Sequence, residues 1–313
     1  MGQRRGPIEW SNMSLLNNMA IPPRRIALSG GGMKGLSHIG GLIGLERHGL
    51  LKFVKEYIGT SAGALISFCI VIGYTFSELR TLSILLNFSL CQNVDPDNIF
   101  NFTQTCGIDD GKNVKRFISV LLHTKGYSED ITFEEFYTKN PAALNLRIFA
   151  VDITKHKSVE FSLQTSPTMK FTTALQASMC IPFLFIPVED SASGSNYVDG
   201  GIVFHFPFHY LTTEERMETI GLTFDDKGVT SLDTPIISYM YNVYKSIYAP
   251  QNEALKDEWD HRIIYIPCGQ YSAISFDASE ETKMAMISAG ERAVDAFILK
   301  GTGRRGERRK SMP

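Results

Sequence analysis

Ser61 lies in a glycine-rich turn and is the clearest candidate for covalent chemistry in this sequence. The run Gly59-Thr60-Ser61-Ala62-Gly63 fits the pattern G-x-S-x-G and falls between a short predicted strand and an apolar predicted helix. Such a turn strains the serine backbone and needs small neighbours, while the helix N-terminus offers unpaired N–H groups that favour negative charge. The motif predicts a nucleophile. The alternative is a glycine-rich turn in which Ser61 only caps the helix.

A second glycine-rich loop precedes this turn. Gly30-Gly31-Gly32-Met33-Lys34-Gly35 contains consecutive glycines, which allow backbone N–H groups to converge on an anion. In an acyl hydrolase that anion is the oxygen of the tetrahedral intermediate. The same residues also fit G-x-G-x-x-G, the dinucleotide fingerprint, which would make the protein nucleotide-binding. That alternative requires an acidic residue after the second strand, but this strand leads into the Ser61 turn, so the two loops together favour an oxyanion hole.

The third motif supplies a carboxylate. Asp199-Gly200-Gly201 follows Tyr197-Val198, and an aspartate at a strand end beside two glycines can approach another loop closely. Within hydrogen-bond reach of Ser61, its carboxylate could take the serine proton as a general base. By itself, the Asp-Gly pair is more typical of a simple turn than of a catalytic base.

The elements that position these motifs alternate between strand and helix, which predicts a mainly parallel sheet covered on both faces. The uncharged stretch 57–77 has about the length of a membrane span, but the turn at 59–63 interrupts it, so we expect a buried helix. The predicted strands are 25–28, 53–58, 146–153, 159–163, 219–224 and 262–266, and the main predicted helices are 34–48, 61–73, 76–89, 111–123, 170–179, 232–248 and 279–299.

Taken in order, the three motifs resemble the patatin-like phospholipase family, whose pattern is a G-G-G-x-K/R-G loop, then G-x-S-x-G, then D-G-G or D-G-A. Residues 36–41 resemble the helix after the first loop, and residues 177–183 resemble the A-S-x-x-x-P-x-F segment before the aspartate. The resemblance covers residues 24–211. At one position the sequence departs from it, because His205 stands where the family often has Asn, two residues before Pro207.

The resemblance implies a three-layer α/β/α sandwich with a mainly parallel central sheet. It also implies a lipid acyl hydrolase of the phospholipase A, lysophospholipase or acylglycerol lipase type, which forms an acyl-enzyme intermediate, is calcium-independent and needs no metal or cofactor. The residues implied are the catalytic pair Ser61 and Asp199, the oxyanion-hole loop Gly30, Gly31, Gly32, Met33, Lys34 and Gly35, the elbow residues Gly59, Thr60, Ala62 and Gly63, and the base-loop residues Gly200 and Gly201.

The histidines allow a different mechanism. A conventional triad would combine Ser61 and Asp199 with His261. His205 and His209 have the spacing of helical metal ligands, but the residues between them, Phe206 to Phe208, argue against a helix, and no third ligand is evident. We therefore expect no histidine in the chemical step and no metal site. A catalytically inactive scaffold with the same fold is a further alternative.

Composition limits the class of protein and its partners. The chain has 313 residues, of which 43% are hydrophobic, and a formal charge of −2, so we expect a folded core and no nucleic-acid partner. Basic residues cluster at both ends; such a cluster is usually only solvated, and the alternative is attraction to an anionic membrane surface. Five cysteines without a C-x-x-C pair argue against disulfides and zinc, and no signal peptide is evident. These features predict a cytoplasmic, non-secreted protein, peripheral at membranes, and the resemblance implies that it acts on lipid or phospholipid.

Four segments are predicted along the chain: an N-terminal segment at 1–23, the patatin-like domain at 24–211, an α/β continuation of the same globule at 212–300, and a basic, disordered tail at 301–313. Phe100, Phe102, Phe183 and Phe185 are candidates for an acyl pocket together with the apolar helix after Ser61. Plain core packing is the alternative for each of them.

Overall fold

The computed structural model describes residues 21–94, 96–225, 235–273 and 275–310. Most of the predicted N-terminal segment and the last three residues of the predicted tail lie outside the described residues. The division of the chain into four segments remains a prediction.

A mainly parallel sheet forms the centre of the described part of the chain. Its eight strands follow the order β10-β9-β1-β2-β4-β8-β7, with β5 paired to β4, and a separate small sheet joins β3 to β6. The strands are β1 (Arg25–Leu28), β2 (Glu56–Thr60), β3 (Gly107–Asp109), β4 (Asn145–Asp152), β5 (Lys157–Phe161), β6 (Phe183–Phe185), β7 (Val188–Asp190), β8 (Ser195–Asp199), β9 (Thr219–Asp225) and β10 (Ile263–Pro267).

Helices connect and cover these strands. They are α1 (Leu36–Arg47), α2 (Ala62–Val71), α3 (Phe76–Leu85), α4 (Pro96–Phe100), α5 (Phe102–Thr105), α6 (Lys112–Thr124), α7 (Phe133–Lys139), α8 (Phe171–Met179), α9 (Gly201–Phe204), α10 (Thr213–Met217), α11 (Pro235–Trp259) and α12 (Glu280–Lys310). Short 3-10 helices occupy Gly32–Gly35, Phe88–Cys91 and Pro207–Tyr210.

Side-chain alternation along the central strands divides the core between the two faces of the sheet. On β1, Ile26 and Leu28 pack into the larger cluster with α1, α2 and α12, whereas Ala27 packs into a second cluster with Phe208 and Trp259. Both faces of the sheet are therefore covered, as expected for a parallel sheet. The predicted three-layer α/β/α architecture is confirmed.

Most predicted elements are present, with different boundaries. The second strand is Glu56–Thr60, not 53–58, because residues 51–53 form a turn that is closed by a hydrogen bond from the Val54 N–H to the Leu51 carbonyl. The helix predicted at 232–248 continues to Trp259, because its later turns pack Leu255 and Trp259 against the sheet. The final helix continues through 310, within the stretch expected to be a disordered tail.

Candidate active site

Ser61 lies on the sharp turn between β2 and α2, with φ 53° and ψ −123°. This conformation is strained for a residue with a side chain, and the close packing around it explains the flanking glycines. A Cβ atom at Gly59 would overlap the backbone of Gly63, and one at Gly63 would overlap the Leu28 carbonyl oxygen. The turn therefore has the geometry of a nucleophile elbow, and Ser61 is buried at its tip.

The pairing of β8 with β4 brings Asp199 to the level of Ser61. Thr60 pairs with Phe149 on β4, and Asp199 pairs with the next residue, Ala150, from the other side. β8 is antiparallel to β4, so it enters the sheet at the carboxyl edge of the parallel strands. Its last residue, Asp199, therefore lies level with Ser61. The sequence predicted the strand end but not this antiparallel pairing.

Asp199 is buried, and its carboxylate lies near Ser61. Burial raises the pKa of its carboxyl from an ordinary 3.8 to about 6, while hydrogen bonds from the Ser61 hydroxyl and the Gly201 N–H oppose that rise. The Gly201 nitrogen lies 2.7 Å from the Asp199 Oδ1 atom. Gly200 has no room for a side chain, because a Cβ there would lie 2.7 Å from the Phe149 carbonyl oxygen. The base loop is therefore held close to β4.

The segment around Ser178 holds both residues in place, and sequence reasoning assigned it no role. The Ser178 hydroxyl accepts a hydrogen bond from the Ser61 N–H at 2.9 Å and donates one to the Phe149 carbonyl at 2.7 Å. Two residues later, the Cys180 carbonyl accepts a hydrogen bond from the Asp199 N–H at 2.8 Å. The available signal was the A-S-x-x-x-P-x-F segment, which contains both residues.

Some backbone N–H groups of the 30–35 loop, which the sequence predicts to form the oxyanion hole, are already hydrogen-bonded within the protein. The Gly30 N–H donates to the His205 carbonyl, the Met33 N–H to the Ala273 carbonyl, and the Lys34 N–H to the Gly31 carbonyl. Three of the six residues therefore have their N–H groups occupied. Among the described residues, no backbone carbonyl accepts a hydrogen bond from the Gly31 or Gly32 N–H group.

The loop itself is packed tightly against Ser61 and its surroundings. A Cβ at Gly30 would lie 3.3 Å from the Ser61 Cβ, and one at Gly35 would lie 2.8 Å from the Ala62 Cβ. Gly32 has φ 52°, and a Cβ there would overlap the Ala273 carbonyl oxygen. Lys34 is buried, although it carries the only charge in the loop. Glycines are therefore required for this loop to approach the elbow.

The histidines have positions that do not form a conventional triad. His261 is exposed, stacks on Trp259 and precedes β10, so it lies at the amino edge of the sheet, opposite Ser61. His209 pairs with the Asn252 side chain at 3.2 Å. His205 lies beside Gly30, close to the elbow, because a Cβ on Gly30 would lie 3.2 Å from its ring.

His38 is fully buried beneath the glycine loop. Its Nε2 atom lies 2.9 Å from the Ser29 carbonyl oxygen, and its ring stacks on Phe224 with centroids 4.5 Å apart. Burial lowers the pKa of His38 to about 3, so the ring is neutral at physiological pH. Within the described residues there is no group of three or more His, Cys, Asp or Glu side chains placed to hold a metal ion.

A large apolar pocket opens beside Ser61. Its volume is about 1060 Å³ with the open mouth included, and its walls come mainly from α2, α3, the Phe88–Cys91 segment and α6. Of the four phenylalanines proposed from the sequence, only Phe185 lines it. Phe100, Phe102 and Phe183 instead lie on the surface, and the rings of Phe102 and Phe183 are 6.4 Å apart. The three aromatic side chains were wrongly assigned, because periodicity does not show which face of a short helix or strand is covered.

The fold and the site define a class of α/β proteins in which a serine elbow stands at the carboxyl edge of a mainly parallel sheet. The profile of the family described as Patatin-like phospholipase matches residues 26–212, which is more than half of the chain. The chain therefore belongs to the patatin-like phospholipase family. Membership confirms the resemblance seen in the motifs and supports the predicted activity, hydrolysis of lipid esters.

Several known proteins are similar to this chain in sequence or in fold. A protein of Invertebrate iridescent virus 6, named probable lipid hydrolase 463L, is 30% identical over 184 residues; the match covers 59% of this chain and 61% of that relative. The uncharacterized protein YqhO of Bacillus subtilis is 24% identical over 302 residues, covering 88% of this chain and 97% of YqhO. In the structure of VipD from Legionella pneumophila, the fold is similar with a TM-score of 0.59 at 16% identity, over 90% of this chain and 68% of VipD.

Proposed function

We propose that this protein hydrolyses fatty-acyl esters of lipids with Ser61 as nucleophile and Asp199 as its general base. The observation that carries the proposal is the approach of Ser61 to the buried Asp199 carboxylate, whose pKa the serine hydroxyl lowers, at the opening of an apolar pocket. A carboxylate with a pKa near 6 is ionised at neutral pH and is a stronger base than an ordinary aspartate. The pocket is apolar, as an acyl chain requires.

The geometry supports a two-step reaction. Asp199 takes the Ser61 proton as the serine oxygen attacks the acyl carbonyl carbon, and the resulting oxyanion accepts hydrogen bonds from the Gly31 and Gly32 N–H groups. The alcohol leaves with the proton that Asp199 returns, and the acyl group stays on Ser61. Asp199 then deprotonates a water molecule, whose oxygen attacks the acyl carbonyl carbon; the ester bond to Ser61 breaks, the fatty acid is released, and Asp199 returns the proton to the Ser61 oxygen. No step requires a metal or cofactor.

Nucleotide binding is the weaker candidate. The 30–35 loop packs against the elbow, and its 3-10 helix leads into α1. β2 ends at Thr60 and leads into the elbow, so no acidic residue follows it to bind a ribose. The pocket beside the loop is lined almost entirely by apolar side chains. Such a lining suits an acyl chain better than a ribose or a base.

The test is active-site labelling together with lipid hydrolysis. We expect a fluorophosphonate to label the wild-type protein and Ser193→Ala, in which an exposed serine outside the site is removed, but not Ser61→Ala. Hydrolysis of monoacylglycerol and lysophospholipid should follow the same pattern and persist in excess EDTA. Turnover by Ser61→Ala would refute the nucleophile, a folded but inactive wild type would indicate a scaffold, and loss of activity on chelation would refute the metal-free mechanism.

We also propose that the protein acts as a peripheral protein at a membrane surface. No helix in the described part of the chain is long and apolar enough to cross a membrane. Large apolar side chains are exposed in one stretch of the sequence: Leu90, beside the pocket-lining residues, is 71% exposed, and Phe100 on α4 is 85% exposed. Phe88 and Cys91, from the same stretch, line the pocket. An apolar surface next to a lipid-binding pocket suits contact with lipid.

Vesicle sedimentation tests this surface independently of catalysis. On a Ser61→Ala background, Leu90→Ser and Phe100→Ser should reduce binding to phosphatidylcholine–phosphatidylserine vesicles several-fold. Leu299→Ser is the matched control, because Leu299 is 70% exposed but lies on α12, away from the pocket. Equal losses for all three variants would argue against this surface. The cytoplasmic location remains a prediction from the sequence.

A further inference from the structure

The pocket beside Ser61 follows one face of α2. Ala62, Leu65, Ile66 and Cys69 line it, and their spacing of three and four residues places them along a single stripe of the helix. Cys69 lies eight residues after Ser61, which at the helical rise of 1.5 Å per residue corresponds to about 12 Å. The pocket therefore runs away from the nucleophile for about two helical turns.

Three buried side chains close the far end. Cys69 from α2, Leu79 from α3 and Leu121 from α6 line the pocket there, and each is at most 5% exposed. We refer to these three residues as the pocket floor. The residues nearer the mouth, such as Leu86 and Phe88, are only partly buried. The floor thus lies at the Cys69 end of the α2 stripe and is buried.

Hydrogen bonds fix the floor in position. Tyr74 is buried next to it, and its hydroxyl donates to the Leu121 carbonyl at 3.1 Å while its N–H donates to the Cys69 carbonyl at 2.9 Å. Lys125 lies over the Tyr74 ring, with its Nζ atom 4.2 Å from the ring centre, and pairs with Glu78 at 2.8 Å. An acyl chain in the pocket cannot displace the pocket floor without breaking these contacts.

The floor is also chemically apolar. Burial raises the pKa of the Cys69 thiol to about 12, so the thiol is neutral and behaves as a small hydrophobic group. Leucine side chains make up the rest. The end of the pocket therefore suits a terminal methyl group and offers nothing to a polar one.

We propose that Cys69, Leu79 and Leu121 limit the length of the acyl chain that this protein accepts. A carbon–carbon bond of about 1.52 Å at an angle of about 111° advances an extended chain by about 1.25 Å per carbon, so a path of about 12 Å holds about ten carbons. A longer chain must fold back or leave its end outside the mouth. The inference rests on the proposed function, because Ser61 must be the point at which the acyl group is attached.

Chain-length profiles test the proposal. For saturated esters from four to sixteen carbons, we expect kcat/KM of the wild type to rise to about ten carbons and then to fall. Leu79→Ala should move the maximum to longer chains by two or more carbons, and Cys69→Leu should move it to shorter chains. Leu82→Ala is the matched control, because Leu82 lines the pocket on α3 but not at the floor; it should leave the maximum in place.

A binding assay on Ser61→Ala separates this proposal from the proposed function. Displacement of a fluorescent fatty acid by free acids of eight, ten and sixteen carbons should show the same length preference and the same shifts, without turnover. If the protein hydrolyses four-carbon esters but the floor variants do not change its chain-length preference, the length limit is wrong and the proposed function still stands. Failure of both hydrolysis and labelling at Ser61 would overturn the proposed function, and the length limit with it. Thermal melting of each variant identifies any that does not fold.

Discussion

The Ser178 hydroxyl accepts a hydrogen bond from the backbone N–H of Ser61 at 2.9 Å, across 117 residues of sequence. It also donates to the Phe149 carbonyl on β4 at 2.7 Å, so one side chain ties the strained elbow to the neighbouring strand. Because Ser178 is fully buried, water does not replace these bonds if the hydroxyl is removed. We therefore regard Ser178 as a positioning residue for the nucleophile.

Ser178→Ala should lower kcat about 10- to 100-fold with little change in KM, because a small displacement of a nucleophile is costly to the chemical step. It should also lower the free energy of unfolding by about 1–3 kcal/mol, since two buried backbone groups lose a partner. The matched control is Ser67→Ala on α2, where a buried hydroxyl has no recorded partner in the described chain. Steady-state kinetics and chemical denaturation measure both effects. If kcat is unchanged for Ser178→Ala, the positioning role is wrong.

Asp199→Asn should reduce kcat by about 10³- to 10⁴-fold, because the amide keeps the shape of the side chain but cannot accept the serine proton. Asp152→Asn is the control: Asp152 is another buried aspartate on β4, but its carboxylate accepts hydrogen bonds from the Thr154 and Lys155 N–H groups, outside the site. His261→Ala should retain wild-type kcat. An active Asp199→Asn together with an inactive, folded His261→Ala would establish a conventional triad instead.

The pH dependence of kcat/KM should report the Asp199 carboxyl. Its pKa is raised to about 6, and only the ionised form can act as a base, so kcat/KM should rise about tenfold per pH unit up to about pH 6 and level off above it. A histidine titrates in the same range, and a less polar cosolvent distinguishes the two. It raises the pKa of a carboxyl, where ionisation creates charge, but not that of an imidazolium. A midpoint that does not rise in cosolvent would contradict the assignment.

The same pKa makes Asp199 destabilising at neutral pH. Because the folded-state pKa of about 6 lies above the ordinary 3.8, the folded protein binds this proton more tightly than the unfolded chain does. The contribution of Asp199 to the free energy of unfolding therefore falls by up to about 3 kcal/mol between pH 4 and pH 7.

Asp199→Asn removes this cost, so it should be more stable than the wild type at pH 7 and similar to it at pH 4. Urea unfolding of both proteins at the two pH values measures the difference. An equal offset at both pH values would show that Asp199 does not titrate with a raised pKa.

Local patterns were sufficient to predict much of the fold. β1 was predicted with its observed bounds, and the apolar helix after Ser61 was predicted to within two residues at each end. A capping box joins Thr132 and Glu135 at the start of α7, which is another local pattern of this kind. These features depend on periodicity, turn chemistry and capping. Because these act over only a few residues, they can be recognised in the sequence.

The order of the three motifs was likewise sufficient for the family and the class of chemistry, since each motif reflects a local backbone requirement. The contacts among the motifs were not predictable. The pairing of Asp199 with Ala150, the support of Ser61 by Ser178, and the occupied N–H groups of Gly30 and Met33 all join residues far apart in sequence.

Some features of the pocket could likewise be predicted from the sequence, and others could not. Its helices could be expected from apolar composition, but which phenylalanine lines it and which lies on the surface depends on how α5, β6 and α6 pack together. Local sequence determines the conformation that each segment favours. Tertiary structure determines which backbone groups are already paired, how deeply a carboxylate is buried, and hence which groups remain available for chemistry.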